Sequence, residues 1–261
     1  MVLNYYPGCT LKNQAAELDR CARASAEALG VTLEELPQWQ CCGGVYPMAS
    51  DEIATRLSAV RALAEAGERA GTLVTVCSAC HHVLKRTNED FKGDETFRDR
   101  ANRYLELPRP YEGQTKVVHF LELLRDTVGF DHLKEAVKRP LTGRKIGAYY
   151  GCLLLRPGKD MAMDDPENPG ILEDFLRALG AEPVVYAMRN ECCGGYVTLE
   201  NRRLAQAQAQ SVVDNAAALG AELLVTACPL CRYNLTRNAP GLPTVYFTQL
   251  LAQALGLTEE G

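Results

Sequence analysis

The sequence predicts an α/β fold of two pseudo-symmetric lobes, each a small parallel sheet with flanking helices, related by internal duplication. Three observations carry this. The cysteines fall into two sets of five with the same internal pattern. In each half, short apolar runs that read as strands alternate with stretches whose apolar residues recur at helical spacing. The links between strands are long enough to hold helices, which pairs the strands in parallel through right-handed crossovers.

The duplication is explicit in the numbering. With Cys21 set aside, the first set is Cys9, Cys41, Cys42, Cys77 and Cys80, and the second is Cys152, Cys192, Cys193, Cys228 and Cys231. The first members are 143 residues apart and the other four pairs are all 151 apart. A constant offset marks a repeat. The flanks agree: Tyr5-Tyr6-Pro7-Gly8-Cys9 resembles Tyr149-Tyr150-Gly151-Cys152, and Leu73-Val74-Thr75-Val76-Cys77 resembles Leu224-Val225-Thr226-Ala227-Cys228.

Each half opens on an apolar strand, residues 2–6 and 145–150, that delivers its first cysteine. A helix follows. Leu11, Ala15, Leu18, Ala22 and Leu29 hold helical spacing up to Gly30, and Ile171, Phe175, Leu176 and Leu179 do so up to Gly180. The double cysteine comes next, and then a helix carrying Ile53, Leu57, Val60 and Leu63, with Ser50 as its expected cap and Asp51 and Glu52 in its first turn. A buried strand, residues 72–76 or 222–227, leads into the Cys-x-x-Cys. One more strand and helix close each half, within residues 116–124 and 244–255. The expected lobes are residues 1–142 and 143–261, with the link near residues 139–143. The first lobe carries an expected surface insertion, about residues 90–113, which is charged and holds one helical stretch over 97–107.

Composition narrows the function. Hydrophobic residues make 47% of the 261 and charged residues 23%, as in ordinary globular proteins. The 28 basic side chains are outnumbered by 33 acidic ones, which argues against a nucleic-acid partner. No run of about 18 apolar residues is present, so no direct membrane span is expected. The 11 cysteines are an odd number, and residues 1–6 lack the character of a secretory leader. The expected location is therefore the reducing cytoplasm, where dense cysteine points to metal or redox chemistry.

Thiolates bind zinc or iron–sulfur clusters, and a Cys-x-x-Cys presents two sulfurs on one side of a turn. Adjacent cysteines normally point apart. The glycines that follow them, Gly43-Gly44 and Gly194-Gly195, permit the backbone angles that turn both sulfurs inward and expose amide hydrogens to cluster sulfides. Strand ends in parallel sheets gather sites, so the first cysteine and the Cys-x-x-Cys of each half are expected to converge. A zinc site or a cubane takes four thiolates, whereas each half offers five.

The pattern Cys9…Cys41-Cys42-Gly43…Cys77-x-x-Cys80 and its copy Cys152…Cys192-Cys193-Gly194…Cys228-x-x-Cys231 resembles the B subunit of heterodisulfide reductases, across essentially the whole chain. The resemblance implies that each set of five holds one noncubane [4Fe-4S] cluster. It implies further that a substrate disulfide is cleaved between the two clusters, which do the bond breaking themselves. It also implies a ferredoxin-like C subunit with [4Fe-4S] clusters as electron donor and a flavin-containing A subunit behind it. The chain fits that dependence: it has no ferredoxin-type cysteine run and no Gly-x-Gly-x-x-Gly after a strand, so no flavin or nicotinamide is expected on it. A disulfide takes two electrons and a cluster usually carries one, which suits a duplicated site.

Three rival readings stand beside this one. Structural zinc would make the chain a scaffold. Similar repeats occur in iron–sulfur electron-transfer subunits of quinone-linked dehydrogenases. A sulfur-oxidising, heterodisulfide reductase-like complex would run the thiol chemistry in reverse. Among single residues, Cys21 lies on an apolar helix stripe and reads as buried and inert. His81 and His82 are candidate proton donors to a departing thiolate, against a plainer reading as partly exposed helix residues or partner contacts. Lys12, Arg156, Arg189 and Arg232 lie near cysteines and are candidates for an anionic substrate, although each alone is more commonly a solvated charge. His119 reads as structural.

Overall fold

The computed structural model describes residues 1–44, 50–69 and 71–258. The first lobe runs β1 (Val2–Tyr5), α1 (Gly8–Asn13), α2 (Ala16–Ala28), β2 (Thr32–Glu35), α3 (Glu52–Arg69), β3 (Thr72–Thr75), α4 (Ser78–Gly93), α5 (Glu95–Leu105), β4 (Lys116–His119) and α6 (Phe120–Leu123). A π-helical turn, Leu124–Val128, and α7 (Phe130–Ala136) lead out of it. The second lobe runs β5 (Lys145–Tyr149), α8 (Gly158–Met161), α9 (Ile171–Ala178), β6 (Glu182–Val184), α10 (Arg202–Ala218), β7 (Leu223–Thr226), α11 (Pro229–Asn238), β8 (Thr244–Tyr246) and α12 (Phe247–Ala254). Short 3-10 turns cover Ala187–Asn190 and Gly195–Val197.

The strands form two four-stranded parallel sheets, ordered β2-β1-β3-β4 and β6-β5-β7-β8. The two orders are the same, so the predicted pair of duplicated α/β lobes is the fold. Both central strands of each sheet are apolar and buried, with Leu73, Val74, Leu224 and Val225 all fully covered, as expected where helices flank both faces.

Three local expectations need correction. Sequence periodicity marks three strands per half, whereas each sheet has a fourth at its edge, β2 or β6. These edge strands are three or four residues long, one contains Pro183, and Glu34, Glu35 and Glu182 give them a polar look. The signal was the glycine stop before each, Gly30 and Gly180, both with positive φ. The helix expected to run unbroken to Gly30 is two helices, because Ala15 leaves helical geometry at φ −136° and ψ 43°. Asp51, not Ser50, caps α3, its carboxylate accepting from the Ala54 amide at 2.9 Å.

The segment expected as a surface insertion is anchored by aromatic packing. Phe97 on α5 meets Phe91 edge-on at 4.9 Å and carries the Arg56 guanidinium 3.8 Å above its ring, while Tyr111 is buried beside Phe91. One continuous apolar core spans both lobes. At their junction α12 packs on α2: Thr248 Oγ1 donates to the Leu18 carbonyl at 3.0 Å, and the Phe247 ring lies against Phe120 and Phe175.

Candidate metal centres

Each set of five cysteines is assembled by the same four local devices. The first is the glycine after strand β1 or β5. Gly8 and Gly151 have positive φ, and a Cβ on them would stand 2.6 Å from Cys80 Sγ and 3.1 Å from Cys231 Sγ. A side chain at either position would push into the last sulfur of the set. The sequence shows both glycines, yet nothing in it reveals which sulfur they make room for.

The second device is the strand-to-helix turn at the Cys-x-x-Cys. Cys77 caps the N-terminus of α4 and Cys228 that of α11, with near-identical extended angles. Their amides donate to Thr75 Oγ1 at 3.4 Å and Thr226 Oγ1 at 3.3 Å. Cys80 and Cys231 follow in the first turn, where the helix end favours a thiolate.

The third device is the double glycine. Gly43, Gly44 and Gly194 take positive φ. A Cβ on Gly43 would meet the Thr55 carbonyl of α3 at 2.8 Å, and one on Gly194 would meet Ala205 of α10 at 2.9 Å, so the glycines let the turn press on these helices. The amides freed by the turn act on cysteine sulfur: Gly194 N–H donates to Cys192 Sγ at 3.4 Å, and the amides of Gly43, Gly44 and Gly195 favour the thiolates of Cys41, Cys42 and Cys193.

The fourth is sulfur contact itself. In the first lobe Cys9 Sγ lies 3.4 Å from Cys41 Sγ and Cys42 Sγ lies 3.6 Å from Cys80 Sγ, and Cys42 and Cys77 shift the pKa of Cys41 and Cys80 in turn. The second repeats it through Cys152, Cys192, Cys193, Cys231 and Cys228, with Cys193 and Cys231 3.6 Å apart. All five cysteines of each set thus act on one another electrostatically. Cys9 and Cys41 are exposed, Cys152 and Cys192 half-buried, and the rest buried.

Charge cannot be spread evenly over such a set. Thiol neighbours hold Cys42 and Cys228 below the usual thiol range, and Cys152 and Cys193 bring Cys192 down to about 2. The same contacts push Cys41, Cys80, Cys152 and Cys231 up. Ionising all five needs cations among them. Among the described residues no three or more His, Cys, Asp or Glu side chains surround one metal-ion position. Five thiolates in each set exceed the four that a single tetrahedral zinc takes. In the second lobe the five cysteines line a narrow cavity, joined by Tyr196 and by Ser78 of the first lobe.

The two sets meet at the lobe junction. Ser78, next to Cys77, donates from its amide at 3.2 Å and its hydroxyl at 2.8 Å to the carbonyl of Ala227, next to Cys228. The Tyr246 hydroxyl is shared between the carbonyls of Ala227, at 2.8 Å, and Val76. These carbonyls are equivalent by the repeat. Burial and then the charges of Cys228, Cys152, Cys77 and Cys231 push the Tyr196 hydroxyl up, and the ring lines the second set's cavity together with Ser78 of the first lobe. Sequence reasoning missed Tyr196, because the first lobe has no tyrosine at the matching position.

A family model described as a cysteine-rich domain, CCG, matches residues 3–85 and again 146–236. The chain belongs to the CCG family. Each of its two repeats takes in one sulfur set and the first three strands of one sheet in chain order, with β4 and β8 outside. This CCG chain is 31% identical to the 8-methylmenaquinol:fumarate reductase membrane anchor subunit of Wolinella succinogenes, over 97% of its own length and 92% of that protein. It is 26% identical to the B subunit of the ferredoxin/F(420)H(2)-dependent CoB-CoM heterodisulfide reductase of Methanosarcina acetivorans, over 99% and 90%. A protein of Archaeoglobus profundus, described as like the heterodisulfide reductase B subunit, is 27% identical over 97% and 90%. Among solved structures, a hypothetical protein from Helicobacter pylori superposes on 100% of this chain and 49% of its own with a TM-score of 0.74; at 12% identity this shows the fold alone.

The CCG chain's other candidate residues divide clearly. His81 and His82 are both buried, so the reading of partly exposed histidines is corrected. His81 Nε2 lies 3.1 Å from Glu122 Oε2, and burial lowers its pKa. Burial, then Arg86, brings His82 down to about 4, and the charge of Cys42 acts on it in the other direction. Lys12 is engaged by Glu35 at 2.9 Å, Arg156 by the Asn190 carbonyl at 2.7 Å, and buried Arg189 by Asn168 at 2.6 Å and Glu173 at 3.2 Å. Arg232 differs: its Nε is buried without a hydrogen-bond partner among the described residues. Cys21 is buried, with burial raising its pKa. His119 ends β4 and caps α6 through Nδ1, which accepts from the Leu121 amide at 3.2 Å. No described helix is long and apolar enough to cross a membrane.

Proposed function

We propose that this CCG protein is the catalytic iron–sulfur subunit of a heterodisulfide reductase-like complex, reducing or forming a disulfide at two noncubane [4Fe-4S] clusters. The observation that carries the reading is the contact of Ser78 with Ala227, which joins the residues flanking Cys77 and Cys228 across one junction. Cys9, Cys41, Cys42, Cys77 and Cys80 hold one cluster in the lobe of residues 1–142. Cys152, Cys192, Cys193, Cys228 and Cys231 hold the other in the lobe of residues 143–261. When bound, the two clusters supply the two electrons that an S–S bond takes up.

The chain's own groups do the rest. The amides of Gly43, Gly44, Gly194 and Gly195 stabilise thiolate charge on the double cysteines. Ser78 and Tyr246 fix the spacing of the two sets. Reduction of a disulfide to two thiols takes up two protons, and His82, two residues after Cys80, is the candidate to relay one, because His81 is committed to Glu122 at 3.1 Å. The partners are a ferredoxin-like C subunit, a flavin-containing A subunit and a disulfide or thiol substrate, and the location is cytoplasmic.

A second reading is favoured by the 31% identity to the fumarate reductase anchor subunit. There the chain passes electrons to or from a quinone without acting on sulfur. Anaerobic assays of the intact complex with a reduced dye separate the two. Disulfide reduction with no quinone present supports the first; electron transfer only when quinone is added overturns it.

A further inference from the structure

The repeat gives the molecule two equivalent grooves between lobes, one over α4 and one over α11, and among the described residues only the first is filled. Over α4 the filler is α8, part of the 153–170 connection that has no counterpart after Cys9. Asp160 of α8 lies 3.5 Å from Nε of Arg86, and Met161 beside it is fully buried. The residue equivalent to Arg86, six places after the last cysteine, is Arg237 on α11. It lines an open groove of about 1040 Å³ between α11 and the first lobe's Thr10 and Gln14.

This open groove has the features its filled twin satisfies internally. Arg202, Arg232 and Arg237 line it, and among the described residues no Asp or Glu does. Among the described residues none of the three arginines is in an ion pair, and Arg232 Nε is buried without a partner. Its floor is apolar, with Leu18 and Leu230. Tyr233 on its lining is 61% exposed, and Leu199 and Leu204, three residues before and two after the lining Arg202, are exposed as well, at 101% and 45%. A cationic rim around an apolar floor, flanked by exposed aromatic and aliphatic side chains, marks a polypeptide contact rather than a small-ligand pocket.

We propose that this groove docks a partner polypeptide that presents an acidic helical turn with an apolar side chain, as α8 does on the other side. The inference rests on the reading that the chain is a complex subunit, and it names where a partner seats. Leu230 lies within the second Cys-x-x-Cys and Thr10 follows Cys9, so an occupant would lie against both sulfur sets.

The test uses the full chain, purified anaerobically, and a labelled synthetic peptide copying residues 157–167, which holds three Asp and one Glu against one Lys. Fluorescence anisotropy is expected to show salt-sensitive binding that weakens at least tenfold in Arg237→Glu. A peptide with Asp160→Lys should bind the wild type poorly and recover on the Arg237→Glu chain. Cluster absorbance of the variant checks that it is folded. No binding, or binding indifferent to Arg237→Glu, overturns the proposal. So does an unchanged peptide affinity together with a raised KM for a carboxylate-bearing disulfide, which would assign the groove to substrate. If the clusters and disulfide activity persist while the peptide fails, only the docking proposal falls; absent clusters would instead remove the function on which it rests.

Discussion

Ser78 and Ala227 join the two halves at the point where each half presents its Cys-x-x-Cys, the serine giving both amide and hydroxyl hydrogens to one carbonyl oxygen, at 3.2 and 2.8 Å. Ser78 follows Cys77 and Ala227 precedes Cys228, so a contact between two small residues fixes the separation of two five-sulfur sets. Duplication alone gives two sites. The junction makes them neighbours.

Ligand replacement separates the paired cysteines from Cys21. Cys42→Ser or Cys193→Ser should alter the paramagnetic resonance signal of the corresponding lobe and reduce disulfide turnover to background. Cys21→Ser, on the buried face of α2, should leave signal and rate nearly intact. Full activity in Cys193→Ser would mean that one cluster suffices.

The glycines before the first cysteines make a graded prediction. Gly8→Ala would set a methyl 2.6 Å from Cys80 Sγ at a positive-φ position that costs an L-residue about 1–2 kcal/mol. Gly151→Ala meets Cys231 Sγ at 3.1 Å, where less movement is needed. Iron per chain should fall in both, and more in Gly8→Ala. Equal iron in both variants and wild type would show that the approach of glycine to sulfur is not needed for assembly.

Tyr246→Phe tests the lobe junction apart from the ligands. It removes the buried hydroxyl shared by the Val76 and Ala227 carbonyls, at a cost of about 1–3 kcal/mol. Thermal unfolding should move down by several degrees with iron content retained. An unchanged midpoint would show that the hydroxyl does not couple the halves.

Acid should destabilise the first lobe before it reaches the range of ordinary carboxylates. Burial, with a lesser contribution from His81, brings His119 down to about 3, from an ordinary value of 6.5. The unfolded chain therefore binds a proton that the folded chain refuses between these values, and stability falls as pH drops through that window. Glu122 adds to the loss lower down: burial raises its pKa, but His81, Lys85 and the His119 amide outweigh this and hold it at about 2, against 4.5. His119→Asn keeps an acceptor for the α6 cap and does not titrate. Its unfolding midpoint should depend less on pH between 7 and 5 than that of the wild type; parallel curves would contradict the assignment.

Much of this was legible because the cysteines are both chemistry and ruler. Their offset gives the duplication, the duplication gives two lobes, and strand-like runs before Cys9, Cys77, Cys152 and Cys228 give the parallel sheets. Periodicity failed where segments are short: β2 and β6 pair by backbone hydrogen bonds at sheet edges, and neither Thr32 to Glu35 nor Glu182 to Val184 has the apolar weight to announce itself. The site was read from ligand type, but its fit was not. The approach of Gly8 to Cys80, the meeting of Tyr196 with Ser78 in the second set's cavity and the bridging by Tyr246 bring together distant parts of the chain. The first-lobe histidines show the limit most sharply, since nothing local to Cys80-His81-His82 reveals that Glu122, forty residues on, closes over His81.

The proposed function stands or falls on whether ten cysteines hold two polynuclear iron–sulfur centres, five to each. Anaerobic purification of the chain followed by iron, acid-labile sulfide and zinc analysis decides this. About eight iron atoms per chain with matching sulfide are expected, as two four-iron clusters require. Zinc in place of iron, or iron sufficient for a single cluster, would contradict the proposal.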